Sequence, residues 1–318
     1  MSLLGQLIPS DSAANSWLGP VGALMSSVTW ATGSSAYSKV SKAATPFAVN
    51  LTRACIAFVL FTAIHFIFSE NLAAAFDAIF SLQASNVGWM AVSILSCYVI
   101  GDVLFLRSTH FLGVPGGLAI ASCYPIWTAL VGAIFDGQNL GWVKWLGLLV
   151  SVTGIVLVVL NTPEDSGSHK SSGPSRRSLG VLFALGASLC WASNTYSVAK
   201  GSQGISIELG NMIRMFFGIL MIPLMSQVFA KNQPRFVPAK ALKPFLWIFI
   251  FESVCGSYFF VVGLQKASLV VASTLASLAP VIAVPIGWMM RTEKFNLART
   301  AGVFSVVVGL SLLMGILS

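Results

Sequence analysis

Ten stretches of about twenty mostly apolar residues follow one another along the chain. They lie at residues 18–38, 46–68, 87–106, 114–135, 142–160, 179–199, 207–229, 244–264, 270–290 and 298–316. About 20 such residues carry an α-helix across the roughly 30 Å of hydrocarbon in a bilayer. In lipid an open sheet edge would leave backbone groups unpaired, so the spans are read as helices. The pattern therefore predicts an all-α integral membrane fold with ten transmembrane helices. Most gaps are short turns. Residues 69–86 mix Glu70 and Asp77 with Leu72, Phe76, Ile79 and Phe80, as expected of an interfacial helix. Residues 161–178, NTPEDSGSHKSSGPSRRS, are polar and rich in Ser, Gly and Pro, and read as a flexible linker.

The linker separates two related segments, 18–160 and 179–318, behind a tail at 1–17. At an offset of 161, Trp30 matches Trp191, Lys39 matches Lys200, Asn50 matches Asn211 and Arg53 matches Arg214. At an offset of 155, Gly101 matches Gly256, Ser122 matches Ser277, Pro125 matches Pro280, Gly147 matches Gly302 and Gly154 matches Gly309. One indel between the second and third helices accounts for the change of offset. Each half holds five helices, an odd number, so the second enters the membrane from the opposite side. Two inverted five-helix repeats are a signature of secondary transporters.

Composition supports the membrane reading. The chain is 56% hydrophobic and 9% charged over 318 residues, against about 25% charged in soluble domains. A net charge of +8 does not signal nucleic acid, because the basic residues fall in gaps between apolar runs. Four of the eighteen, Lys144, Lys200, Arg214 and Lys266, lie towards the face carrying both termini. The rest lie towards the other face, including Arg176 and Arg177, which predicts that this second face is cytoplasmic and the termini external. Residues 1–16 contain no Lys or Arg, so no secretory signal or transit peptide is expected. Cys55, Cys97, Cys123, Cys190 and Cys255 all sit in apolar runs and read as small packing residues. His65, His110 and His169 have no metal spacing. Neither a metal nor a cofactor is expected.

The segment LASLAPVIAVPIGWMMRTEKFNLARTAGVFSVVVGLSLL (275–313) resembles the EamA-type domain of the drug/metabolite transporter superfamily. The resemblance rests on Pro280 in the fourth helix of the half, Glu293 in the next turn, and Gly302 and Gly309 in the fifth helix. Pro125, Gly147 and Gly154 repeat it in the first half, with Gln138 at the place of the Glu. LGASLCWASNTY (185–196) looks like the first helix of a half, and Arg53 and Arg214 stand where the second helix usually has Arg. The likeness covers the chain outside the tail and linker. It implies a carrier in a membrane, by family habit an exporter; the compact chain without targeting segments points to a bacterial inner membrane. It leaves open amino acids and other metabolites, drugs or organic cations, and nucleotide-sugars or phosphate esters.

Ionisable side chains at membrane depth cost roughly 2.5–3.5 kcal/mol on insertion scales and usually have a function. Glu252 lies near the middle of the eighth span; its counterpart in the first half is Cys97. It suits proton exchange or the binding of a substrate amine; the plainer reading is a neutral acid bonded to a neighbouring helix. Asp102 lies one turn after Tyr98 on the same helix face. The two could line a polar path, or Asp102 could pair with Arg107 or Arg53. Arg53 and Arg214, each one turn after Asn50 and Asn211, could bind an anionic group, or cap carbonyls while the Asn bridges helices. Trp30, Trp191, Asn194 and Tyr196 lie among small residues in the first helix of each half, a cavity wall or a packing surface. Pro125 and Pro280 read as hinges that free backbone carbonyls, with Tyr124 beside the first.

The favoured function is a carrier moving a small solute, an amino acid or a related amphipathic metabolite, by alternating access. Its binding site is expected near the midplane, at the junction of the repeats. An intramembrane protease of the GxGD type would need Gly at Val99, and no second helix offers a central Asp. A channel needs a continuous polar stripe, and the polar residues here are isolated. The monomer is a complete unit in principle, and a dimer is equally compatible.

Overall fold

Apolar stretches fold as helices throughout the residues that the computed structural model describes, which are 12–41, 43–137, 140–161, 174–279, 281–282 and 296–313. In chain order these are α1 (Ser12–Val40), α2 (Pro46–Phe68), α3 (Leu72–Phe80), α4 (Ala84–Ile94), α5 (Asp102–Ala121), α6 (Tyr124–Asp136) and α7 (Trp142–Leu160). The second half supplies α8 (Pro174–Gly201), α9 (Ile207–Phe229), α10 (Ala239–Leu242), α11 (Leu246–Ile250), α12 (Ser257–Lys266), α13 (Leu269–Ala276) and α14 (Leu297–Leu313). No strand occurs among the described residues. Five helical stretches there are long and apolar enough to cross a membrane: Pro46–Phe68, Ala84–Leu112, Ser178–Gly201, Ile207–Phe229 and Ala239–Lys266. Trp142–Leu157 and Thr300–Leu313 are apolar but shorter. Exposed Ile67, Val228 and Phe304 present apolar surface outwards, as lipid-facing residues do.

The ten expected spans are thus not all seen as ten uninterrupted long helices. The eighth begins earlier than expected, at Ala239, and the sixth at Pro174. The fourth span, expected to be continuous over 114–135, is broken at Ser122–Cys123. The ninth breaks at the matching place, Ser277–Leu278, and the rest of it lies largely outside the described residues. The expected turn before the fourth span is hidden within α5. Gly117 lies against Ser108 and Thr109. A straight helix would hold residues so far apart in sequence about 12–14 Å apart along its axis. The chain therefore doubles back between them.

Local chemistry explains the matched starts of α2 and α9. Thr45 caps α2, its hydroxyl accepting from the Ala48 amide at 3.1 Å, with Pro46 in the first turn. Ser206 caps α9 in the same way, accepting from Leu209 at 3.4 Å. Each cap fixes the helix start. The Asn-x-x-Arg motif then falls at the same depth in both helices. The third helix of each half carries a wider, π-helical segment, Leu95–Gly101 in the first and Phe251–Gly256 in the second. Both end on the glycine pair matched by the repeat. Such widened turns are rare and concentrate at functional sites.

The chain forms two compact units that interleave the halves. One is Met1–Val99 with Ser197–Ser268; the other is Ile100–Tyr196 with Leu269–Ser318. In the first, α1 lies on α12: a Cβ at Gly22 would meet Val262, and one at Gly263 would meet Ala23. In the second, a Cβ at Gly180 would meet Phe111, the same contact by the repeat as Gly19 against Lys266. Also in the second unit, α7 and α14 run antiparallel, backbone against backbone. A Cβ at Gly147 would lie 2.7 Å from the Gly309 carbonyl, and one at Gly154 would lie 2.6 Å from that of Gly302. The two contacts exchange under the internal repeat. Lipid gives no hydrophobic drive for helix association, so such close approach supplies the packing.

Gly154→Val is therefore expected to destabilise the second unit by about 1–3 kcal/mol through overpacking. Gly88→Ala is the control: Gly88 is helical with open space around its would-be Cβ. Thermal unfolding in detergent should show a lowered midpoint for the first variant and none for the second.

Candidate functional site

In the first unit α2 brings Arg53 into the interior and the π-helical turn brings Glu252 to meet it. Arg53 is 2% exposed and Glu252 6%. The guanidinium grips both carboxylate oxygens: Nη2 donates to Oε1 at 3.0 Å and to Oε2 at 2.9 Å, and Nε donates to Oε2 at 3.2 Å. The Tyr37 hydroxyl donates to the same Oε2. Nη1 donates to the Asn50 side-chain oxygen at 3.0 Å, and the Asn50 amide donates to the Tyr98 carbonyl at 2.7 Å. Aromatic rings enclose the cation. Its central carbon lies 4.2 Å from the Tyr98 ring centre, 4.4 Å from that of Tyr37 and 5.6 Å from that of Trp30. Phe249 closes the cluster, edge-on to Tyr37 at 4.9 Å.

Gly33 makes this geometry possible. A Cβ there would stand 2.5 Å from Glu252 Cγ, so α1 can pass over the carboxylate only without a side chain at this position. Gly256 plays the same part against Thr29, at 2.6 Å.

The second Asn-x-x-Arg, also in the first unit, repeats the internal clasp. Arg214 Nη1 donates to the Asn211 side-chain oxygen at 3.1 Å, and Asn211 donates to the Ser257 carbonyl at 3.4 Å. Arg214 Nε donates to the Ser93 hydroxyl at 3.0 Å. The asparagines thus bridge helices, as one reading of the sequence has it. The arginine of the first half binds an acid contributed by the second half.

Other candidates gather in the second unit. Asp102 is buried, and its Oδ1 accepts from the Trp191 indole at 3.0 Å. Phe105 packs on Trp191 at 5.3 Å, and Tyr124 meets it edge-on at 6.1 Å. The Tyr196 hydroxyl donates to Asp136 at 2.9 Å, and Asn194 is buried nearby in sequence. Pro125 does not kink a helix. It sits in the first turn of α6, where a missing N–H costs nothing. The break lies just before it, at Ser122–Cys123. Pro280, Gln138 and Glu293 lie outside the described residues. None of the five cysteines is in a disulfide, and no cluster of metal-ligating side chains occurs among the described residues.

The structure thus joins Glu252, Arg53, Asn50, Trp30 and Tyr98 in one cluster, and Asp102, Trp191 and Tyr124 in another. Sequence reasoning missed Tyr37, Gly33 and Phe249 in the first and Phe105 in the second. Tyr37 follows Trp30 by two helical turns on one face, a signal that was available.

A family model described as the EamA-like transporter family matches residues 17–160 and 178–315. An "Uncharacterized transporter" of Archaeoglobus fulgidus is 20% identical over 291 residues, 92% of this chain and 96% of that protein. An "Uncharacterized transporter" of Clostridium kluyveri is 22% identical over 164 residues, 52% of this chain and 51% of that protein. A solved crystal structure of a protein 15% identical superposes with a TM-score of 0.72, covering 94% of this chain and 98% of that one. That last likeness is one of fold.

Removing one partner of a buried ion pair typically costs about 3–5 kcal/mol, since it strands the other charge. Glu252→Gln is expected to lower the thermal midpoint strongly, and adding Arg53→Gln to restore much of it. A double-mutant cycle by thermal unfolding checks this; additive losses would mean that the two side chains are not energetically paired. Gly33→Ala should also lower the midpoint by displacing Glu252.

Proposed function

The chain belongs to the EamA-like transporter family, a multi-pass membrane transporter of the drug/metabolite type, and from that premise we propose that it is a secondary carrier for a small amphipathic metabolite, an amino acid or a close relative. Transport proceeds by alternating access, and the physiological direction is export across a bacterial inner membrane. The matched relatives, in an archaeon and a bacterium, support a prokaryotic setting. The observation that carries the reading is a single acid, Glu252, buried in an apolar helix and held by one guanidinium and one tyrosine hydroxyl.

An acid so placed is a natural coupling group. A proton on the carboxylate weakens its hold on Arg53, and so does a substrate ammonium that takes the guanidinium's place. Competition between these occupants for one carboxylate links solute movement to proton movement without further machinery. Tyr37 and Asn50 hold the two partners in register, and Gly33 lets α1 pack against the carboxylate side chain.

A second reading has its own observation. Asp102 lies among Trp191, Phe105 and Tyr124 in the second unit. An acid beside aromatic faces suits an organic ammonium ion, which points towards export of organic cations.

Counterflow in proteoliposomes separates these. Labelled amino acids should accumulate against preloaded unlabelled solute under the first reading, and hydrophobic ammonium ions under the second. An imposed pH gradient should drive accumulation by the unmodified protein. The variant carrying both Arg53→Gln and Glu252→Gln should lose that response while remaining folded. Unchanged gradient-driven accumulation in it would remove Glu252 from the coupling step.

A further inference from the structure

The environment of Arg53 is that of a carboxylate-binding site with an occupant already in place. The guanidinium fork meets a carboxylate through two nitrogens, which is the geometry that makes arginine the preferred partner of planar anions. Its remaining nitrogen is oriented by Asn50, and the Tyr37 and Tyr98 rings lie 4.4 and 4.2 Å from its central carbon. Glu252 is the occupant, and it stands on a π-helical turn rather than a regular one. Such a turn holds one residue more than an α-helical turn, and returning to α-helical pairing rotates the side chains on it. Occupancy of Arg53 by Glu252 is therefore a conformational choice of this turn.

Resting on the carrier reading above, we infer that Arg53 and Glu252 together form the binding site for the two charges of a zwitterion, an α-amino carboxylate. The solute's carboxylate takes the place of Glu252 on Arg53, and its ammonium takes the place of Arg53 on Glu252. The site's own charges cancel, and so do those of a zwitterion. No net charge is therefore buried in either the empty or the loaded state. A monoanion would satisfy Arg53 and strand Glu252. A monocation would satisfy Glu252 and strand Arg53. Stranding a buried charge is the costly event in such pairs, so both classes are rejected by electrostatics alone. Trp30, Tyr37 and Tyr98 offer aromatic faces to the solute's apolar side chain.

The test uses the full-length protein in proteoliposomes. Counterflow is measured for labelled leucine, phenylalanine and methionine. Leucine is set beside 3-methylbutylamine and 4-methylpentanoate, which keep one charge each, and phenylalanine beside 2-phenylethylamine and 3-phenylpropionate. The expected result is exchange of at least one amino acid with little competition from its singly charged analogues. Arg53→Lys keeps the charge and loses the fork. It should raise the half-saturating concentration of that amino acid at least about tenfold while leaving the thermal midpoint near that of the unmodified protein. The two-charge site is overturned if a singly charged analogue exchanges as well as its parent amino acid, or if folded Arg53→Lys binds the amino acid unchanged. Both results leave the carrier reading standing. Absence of counterflow for every solute in all three charge classes, by folded protein, overturns the site and the carrier reading together.

Discussion

A charge buried in an apolar helix bundle must bring its countercharge with it. Arg53 and Glu252 meet this constraint across two repeats, and much of the first unit is arranged around their meeting. Thr45 fixes where α2 starts and hence the depth of Arg53. The π-helical turn of the third helix swings Glu252 to the same place. Gly33 and Gly256 remove the two Cβ atoms that would hold α1 away. Two tyrosines and a tryptophan then surround the cation, so that neither charge is left against hydrocarbon alone. Hydrogen bonds to charged groups are the stronger kind, and here every nitrogen of the fork donates one.

The same device is built twice and finished once. Capping residue, asparagine and arginine recur at the same depth in α2 and α9, and in each case the asparagine ties its arginine to a backbone carbonyl of a third helix. Both third helices carry a π-helical segment ending on a matched glycine. The fourth helices break at matched serines. The fifth helices meet through glycine contacts that exchange under the repeat. The acid and much of its surround differ: Cys97 stands where the other half has Glu252, and Val198 and Ser253 stand at the places of Tyr37 and Tyr98. Duplication accounts for the scaffold, and a departure from it marks the chemistry.

How much of this was legible in the sequence depends on the range of the interaction involved. Helices and the two-fold repeat follow from hydropathy and internal matching, both local signals. The depth of Arg53 and Glu252 was also readable, because each lies seven or eight residues into an expected span that enters from the same face. Their pairing was not read, because helix order along the chain does not say which helices touch. The compact units interleave the halves, so partners come from helices far apart in sequence. Tyr37 lay unnoticed in an apolar helix for the same reason. The helix break was misplaced by attributing it to Pro125. Proline is tolerated in a first turn, so the break falls before it, at Ser122–Cys123. The π-helical segments have no sequence signature in LSCYVIG or FESVCG beyond the closing glycine.

Under the proposed carrier reading, the acid makes the two access states of an inverted repeat unequal. Two identical inverted halves would offer the same chemistry to both faces of the membrane, and the two access states would be equal in energy. Replacing Cys97 by Glu252 on one side only makes the two halves chemically unequal at the depth where their arginines lie. Whatever occupies the carboxylate, proton, guanidinium or ammonium, then biases one state against the other by its differential affinity, which is the sole means by which a ligand shifts such an equilibrium. A buried ion pair adds little stability compared with apolar packing of the same volume. Under the proposed carrier reading, the pair serves as an exchangeable element and not as a fastening.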